Sequence, residues 1–292
     1  MKSKMKKRKI SVFEEFNLLL LGGFCLLVLL PFLHVVSLSF SSPESSFAQI
    51  RFIPEKFTLQ NYVQVFKNKY IYSGFANSIF RTVVGTFLSV LATVCAAYPL
   101  SKTYFPHKTF WTLFIVFTMF FSAGLIPTYL WNKQLGLMDN KLVLILPGLI
   151  SAYNVVIARN FFMGIPESLE ESAKIDGAND ILIFFQIVAP ISKAIIATLA
   201  LWIAVGHWNA WFDSTLYIRD AGDQVLQVVM RRIVLEGQIA AMELDDPNLA
   251  SAANPETIKA ATIMVTTLPI LCVYPFVQKH FVKGVVVGSV KG

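Results

Sequence analysis

The sequence is poor in charge. Only 15% of its 292 residues are Asp, Glu, Lys or Arg, against about a quarter in an ordinary soluble domain. Apolar residues make up 55% and the mean hydropathy is +0.60, so too little polar surface is present to wet a water-soluble fold of this length. Cysteine is scarce as well. Cys25, Cys95 and Cys272 each sit in an apolar run with no pairing or metal-ligand spacing, which excludes a disulfide scaffold and leaves them as small apolar residues. The four histidines, His34, His107, His207 and His280, are scattered. No H-E-x-x-H, no G-x-x-x-x-G-K-[ST] and no G-x-S-x-G occurs, so the sequence offers no metal site, no P-loop for a nucleotide and no serine elbow. The 25 Phe and the low charge density exclude disorder. An integral membrane protein is the class that remains.

A helix that crosses the hydrocarbon core needs about 20 mostly apolar residues. Six runs qualify: residues 16–40, 75–99, 109–131, 142–158, 194–212 and 260–278, with Arg81 the one charge inside them. The fourth run is short and is extended to Phe162 through a snorkelling Arg159. A seventh run, 181–192, is too short to span and reads as interfacial or protein-covered. Backbone groups in lipid must be satisfied internally, and the runs do not alternate as barrel strands do, so the spans are expected to be helices. Pro31, Pro127, Pro147 and Pro269 lie inside them and invite kinks. With the N-terminus in the cytoplasm, 14 Lys and Arg fall inside and 10 outside, led by the basic start Lys2 to Lys9. The net charge of +7 is therefore an orientation signal and no argument for nucleic acid.

The most informative segment lies between the fourth and fifth runs, on the inner side. Pro166 suits a first helical position. Glu167, Glu170 and Glu171 favour the helix N-terminus. Glu170 and Lys174 are spaced as an i,i+4 pair, and Gly177 stands where a left-handed cap is needed. A second helix is expected from Asn179 or Asp180, through Ile181 to Val188, ending before Pro190. On the first helix Leu169, Ser172, Ala173 and Asp176 share a face, and its small side chains let another backbone approach, as a docking knob in a groove would. An ordinary connecting loop resting on lipid has the same appearance.

Glu171-Ser172-Ala173, three residues, Gly177, nine residues, then Ile187-Val188-Ala189-Pro190 resembles the E-A-A-x3-G-x9-I-x-L-P signature of ABC-importer permeases, with Ser172 and Ala189 as small or apolar exchanges. Asn77-Ser78-Ile79 through Ala97-Tyr98-Pro99-Leu100-Ser101-Lys102, and the tail from Phe281 to Gly292, are similar to carbohydrate permeases of the maltose-permease type. Arg159-Asn160-Phe161-Phe162 together with the 170–178 stretch resembles the branch that moves larger oligosaccharides, aldouronate-type ones included. The resemblance implies an all-α membrane protein with six transmembrane helices and the type I importer permease fold. It implies a cytoplasmic N-terminus over 1–15, a first span and outer loop over 16–74, a permease core over 75–282 with the coupling loop at 163–190, and a cytoplasmic tail over 283–292. It also implies a bacterial plasma-membrane protein that works with a second permease subunit, two cytoplasmic ATPases and an extracytoplasmic binding protein. ATP and Mg would be used by the ATPases, and this chain would bind no cofactor and carry no catalysis. Leu169, Glu170, Glu171, Ser172, Ala173, Asp176, Gly177 and Ala178 would then form the coupling surface.

A sugar path is sought in the fifth run, where Trp202, His207, Trp208 and Asn209 cluster. Aromatic faces can stack on pyranose rings, and His207 or Asn209 can bond hydroxyls. Trp211 and Phe212 fit an interfacial aromatic belt. Residues 224–236 have helical periodicity, in an outer loop that could meet the binding protein or simply be solvated. A permease for a non-sugar solute, an autonomous secondary carrier and a membrane-embedded enzyme are the rival readings. The enzyme would need convergent carboxylates or a metal cluster, and a carrier would have a richer set of intramembrane charges than Arg81, His34 and His207 supply.

Overall fold

The computed structural model describes residues 11–44, 50–54, 56–235 and 254–289, with residues 273–289 described as helix backbone alone. The basic stretch 1–10, most of the outer loop over 236–253 and the end of the tail lie outside the described residues. Helices dominate, and among the described residues the extended pairing is limited to one bridge between Ser41 and Phe57. The chain divides into two compact units, residues 1–68 with 233–265, and residues 69–232 with 266–292.

In the first unit, α1 (Val12–Ser39) opens with a reciprocal cap in which the Ser11 hydroxyl accepts from the Glu14 amide and the Glu14 carboxylate accepts from the Ser11 amide. Its residues up to Leu30 are exposed and overwhelmingly apolar, the surface a lipid or protein neighbour must cover. The short α2 (Gln60–Lys67) is tied to the end of α1 by Asn61. The Asn61 amide donates to the carbonyls of Ser39 (3.0 Å) and Ser41 (2.9 Å), and its oxygen accepts from the Thr257 hydroxyl (2.9 Å).

The second unit is built around α3 (Lys69–Ser101). Against it pack α6 (Ala152–Met163) and α9 (Lys193–Asn209). Between them run α4 (Lys108–Phe120), α5 (Leu125–Gln134), α7 (Glu167–Ile175) and α8 (Asp180–Ile191), followed by α10 (Phe212–Tyr217) and α11 (Leu226–Leu235). The last helix, α12 (Pro255–Ser289), runs from one unit into the other. Apolar side chains gain little by leaving lipid for each other, so close fit decides the packing of such helices. Two glycines of α3 allow it. A β-carbon on Gly85 would lie 2.6 Å from the His207 ring, and one on Gly74 would lie 3.0 Å from the Leu226 backbone. The core at the Ser101 end of α3 gathers Val94, Ala97, Tyr98, Val155, Phe162, Ile183, Phe184 and Val188.

Several runs are broken more sharply, or at other places, than the proline kinks expected. Among the described residues, α1 and α3 can each cross a membrane outright by length and composition, and three bent pairs bring the number to at most five, counting each pair as one span. The run 109–131 is broken, with α4 and α5 meeting at 116°. The break falls at Ser122-Ala123-Gly124, where Gly124 has φ +85°, ahead of Pro127. The run 142–158 begins as two 3₁₀ turns, Lys141–Leu144 and Leu146–Gly148, and bends by 51° into α6. The run 194–212 lies mostly in α9, which meets α8 at 82°. Pro190 does not break α8. The π turn Phe184–Val188 precedes it, with the Ala189 amide donating to the Phe184 carbonyl, and the bend falls two residues later at Ser192. Arg159 does not snorkel. Its Nε donates to the Leu100 carbonyl at 2.9 Å, satisfying an orphan acceptor at the end of α3. The sixth run lies in α12, partly beyond Cys272, the last residue whose side chain is described.

Candidate functional site

The α7–α8 segment is a helical elbow. α7 begins at Glu167, with Pro166 one position before it, φ −59° and ψ 127°. Its end closes as a Schellman turn. The Gly177 amide donates to the Lys174 carbonyl (3.0 Å) and the Ala178 amide to the Ala173 carbonyl (2.9 Å), with Gly177 at φ +86°. Asn179 then caps α8, its side-chain oxygen accepting from the Leu182 amide at 2.8 Å. The sequence pattern named Gly177 as the first cap and left the start of α8 between Asn179 and Asp180; the structure gives it to Asn179.

The charges are arranged otherwise than the spacing suggested. Glu170 does not pair with Lys174. It turns inward, only 6% exposed, and forms an ion pair with Lys102 just beyond the end of α3, while the Tyr98 hydroxyl donates to its second oxygen at 3.4 Å. The Lys102 ammonium also sits 4.6 Å from the centre of the Tyr98 ring. Lys174 instead reaches Asp180 (3.2 Å) across the turn and lies 4.0 Å from the centre of the Tyr104 ring, whose hydroxyl donates to Asp180 at 2.9 Å. Partial burial works to raise the Asp180 carboxyl, but the bonds from Tyr104 and Lys174 outweigh it and hold the group below its ordinary value. The contact with Tyr104 and then the bond to Asp180 push the Lys174 ammonium up.

The elbow exposes Leu169, Glu171, Ser172, Ile175, Asp176 and Gly177, along with Glu167, Ser168 and Lys174, with Ala173 and Ala178 half-buried. Ile175 is 87% exposed, an apolar side chain on a polar helix that the pattern of small residues did not single out. The other arm is embedded. Phe184 of α8 packs on Tyr98 (ring centres 4.9 Å) and Phe162 (6.2 Å), while Ile181 and Phe185 face outward. The run 181–192 is thus protein-covered on one side and exposed on the other.

At the opposite end of α3 a second polar cluster forms. Arg81, 4% exposed, forms an ion pair with Asp213, one of whose oxygens lies 3.0 Å from Nη1, and donates to the Ala210 carbonyl (3.2 Å) and to His207 Nδ1 (3.4 Å). One turn away, the Asn77 amide donates to the carbonyls of Gly222 (2.9 Å) and Gln224 (3.0 Å), and the Ser78 hydroxyl accepts from the Leu226 amide (2.9 Å). These groups fasten residues 210–226 to α3. The partners of Asp213 and Asn77 had no local signal in the sequence, because they lie 132 or more residues away.

The four residues sought as a sugar path do not share one surface. His207 is engaged by Arg81 and packed on Gly85, and Trp208 is buried against Phe75. Trp202, 40% exposed, lies nearly parallel to the exposed Tyr153 ring, centres 6.4 Å apart. Asn209 is exposed on the same face of α9. Trp211 lies under the Arg231 guanidinium at 3.9 Å. Residues 226–235 do form the expected helix, but Leu226, Val228 and Val229 are buried, so it is a packed element. Among the described residues no three His, Cys, Asp or Glu side chains gather as a metal site.

Comparison with known proteins places this geometry. Residues 70–287 match the model of the binding-protein-dependent transport system inner membrane component. The chain is 45% identical to Protein LplC of Bacillus subtilis (strain 168) over 284 residues, 96% of this chain and 95% of that one. It is 44% identical to the polygalacturonan/rhamnogalacturonan transport system permease protein YtcP of the same organism over 283 residues, 95% and 98% of the two chains. Among solved structures it resembles a chain of a bacterial ABC transporter involved in the import of the acidic polysaccharide alginate, with TM-score 0.86 and 32% identity, covering 96% of this chain and 100% of that one. The protein is a transport permease, and it belongs to the family of inner membrane components of binding-protein-dependent transport systems.

Proposed function

We propose that this chain forms one half of the membrane path of an ABC importer for oligosaccharides, with uronate-bearing ones the first candidates. It spans the bacterial plasma membrane six times, both termini in the cytoplasm, beside a second permease. Two ATPase subunits use ATP and Mg, and an extracytoplasmic binding protein delivers the sugar. The permease core occupies residues 75–282, and the elbow within 163–190 is its coupling loop.

The observation that carries the coupling role is the two-sidedness of the elbow. Its inner face is locked to the transmembrane core through Glu170, Phe184 and Val188. Its outer face offers Leu169, Ser172 and Ile175 to a neighbour, with Glu171 and Asp176 beside them. A helix seated on both sides transmits motion as a rigid body. ATP can shift the two states of the path only by its differential affinity for them, and the elbow is where that difference reaches the spans. The names of the permease YtcP and of the alginate importer support an acidic oligosaccharide. The exposed Tyr153–Trp202 pair supplies apolar faces for pyranose rings, with Asn209 available to hydroxyls. His207 and Trp208 act behind that surface, through packing.

The test is uptake into proteoliposomes holding the full importer, offered trigalacturonate and maltotriose in parallel. ATP-driven uptake of the first supports the acidic assignment. Uptake of maltotriose alone contradicts it, and uptake without the ATPases contradicts the importer reading itself.

A further inference from the structure

The elbow could be carried by backbone continuity alone, since both its arms run into spans. The structure holds something more specific. Glu170 and Lys102 are 68 residues apart in sequence, and their side chains are 8% and 11% exposed. Two charges so enclosed are expensive to bury unless they meet, and either one alone would be left uncompensated. The surrounding contacts restrict their geometry further. The Tyr98 hydroxyl occupies the second oxygen of Glu170, and the same ring faces the Lys102 ammonium. Tyr98 itself is wedged against Phe184 of α8 and edge-on to Phe162 of α6. A rotation of α7 about its own axis would swing Glu170 out of this nest, so the pair fixes the angular setting of α7 relative to α3. Lys174, Asp180 and Tyr104 form the exposed counterpart, which ties the turn to the segment after α3 but leaves its charges in water.

We infer that the Lys102–Glu170 ion pair is the joint that fixes α7 to the end of α3, so that a displacement of the elbow moves α3 with it. Glu170 therefore acts from behind the docking surface as a positioning residue, and its neighbour Glu171, which is exposed, belongs to the surface itself. This inference rests on the coupling role proposed above.

The test uses the full importer with its partner permease, ATPases and binding protein, reading ATP hydrolysis with and without saturating binding protein. A photocrosslinker at Ser172 reports whether α7 still meets the ATPase. Glu170→Gln keeps the side-chain volume and should leave crosslinking intact while the stimulated-to-basal ratio falls by about tenfold, within the usual range of coupling between distant sites. The exchanged pair Lys102→Glu with Glu170→Lys should recover most of the ratio. A purely structural loss would lower basal and stimulated hydrolysis together. Glu170→Gln with an unchanged ratio overturns the joint. Should that single variant fail to assemble, the exchanged pair decides: assembly with stimulation supports the joint, and failure there overturns it. If Ser172 captures no ATPase in the unmodified chain, the coupling role falls and the joint with it. Capture with normal coupling in Glu170→Gln removes the joint alone.

Discussion

Replacing Gly177 by valine should loosen the elbow while leaving the spans intact. Gly177 holds φ +86°, and a β-carbon built there meets nothing within 4 Å. The cost of a side chain is therefore conformational and not a clash with neighbours. An L-residue in the left-handed region costs about 1–2 kcal/mol, with β-branched residues at the upper end because they are the rarest there. The closed Schellman turn then loses a factor of roughly 5–30 in population against opened forms. The bonds at stake are those from Gly177 to Lys174 and from Ala178 to Ala173. Hydrogen exchange in the assembled importer should speed up at the Gly177 and Ala178 amides and stay unchanged in the middle of α3. ATP-driven uptake should fall, by at most that factor. Gly177→Asn is the control, since asparagine tolerates this region, and it should retain most of the uptake. Full uptake in Gly177→Val, or equal damage from asparagine and valine, refutes the reasoning.

Other outcomes follow from the same structure. Arg81→Met leaves Asp213, which is partly exposed and still holds the Ser214 amide, without its cation and should destabilise the protein by about 1–3 kcal/mol, seen as a lower melting temperature and faster proteolysis within residues 210–226, with only partial relief in Arg81→Lys because a compact ammonium lacks the spread planar fork that reaches Asp213, Ala210 and His207 from separate nitrogens. Asp180 has a folded pKa below its unfolded value of 3.8, so its tie to Lys174 and Tyr104 is present above that value and is lost as pH falls through the lower folded one; protection of amides 177–182 should be flat from neutral pH to about 4 and decline below it, and Asp180→Asn should abolish the decline. Trp202→Ala should reduce oligosaccharide uptake several-fold with ATPase association unchanged, whereas unaltered kinetics would remove Trp202 from the path.

How much of this was legible in the sequence depends on the range of each interaction. That the long apolar runs would be mainly helical was legible, because such a run has few other stable settings, but among the described residues only α1 and α3 cross outright by length and composition. The Gly177 cap was legible too, and the start of α8 was narrowed to Asn179 or Asp180, since such caps act on amides within a few residues. The bends were harder to read. Proline marked Pro127 and Pro190 as breaks, yet the chain turns at Gly124 and Ser192, where a left-handed glycine in one case and a π turn ahead of the proline in the other shift the discontinuity. The charge pairs were least accessible. Glu170 had a good local candidate in Lys174, but the fold offered Lys102, and nothing near Asp213 in sequence pointed to Arg81. The aromatic cluster of α9 illustrates the same limit: periodicity could not say that Trp202 would be exposed while Trp208 and His207 turned inward.

The most direct measurement is the structure of the assembled importer by electron cryomicroscopy, with and without a non-hydrolysable ATP analogue. The account predicts that α7 lies in a groove of an ATPase, with Leu169, Ser172 and Ile175 at the contact, and that the Ser101 end of α3 shifts together with it when nucleotide binds. An elbow on the face of the membrane opposite the ATPases, or one that touches neither of them in both states, would contradict it.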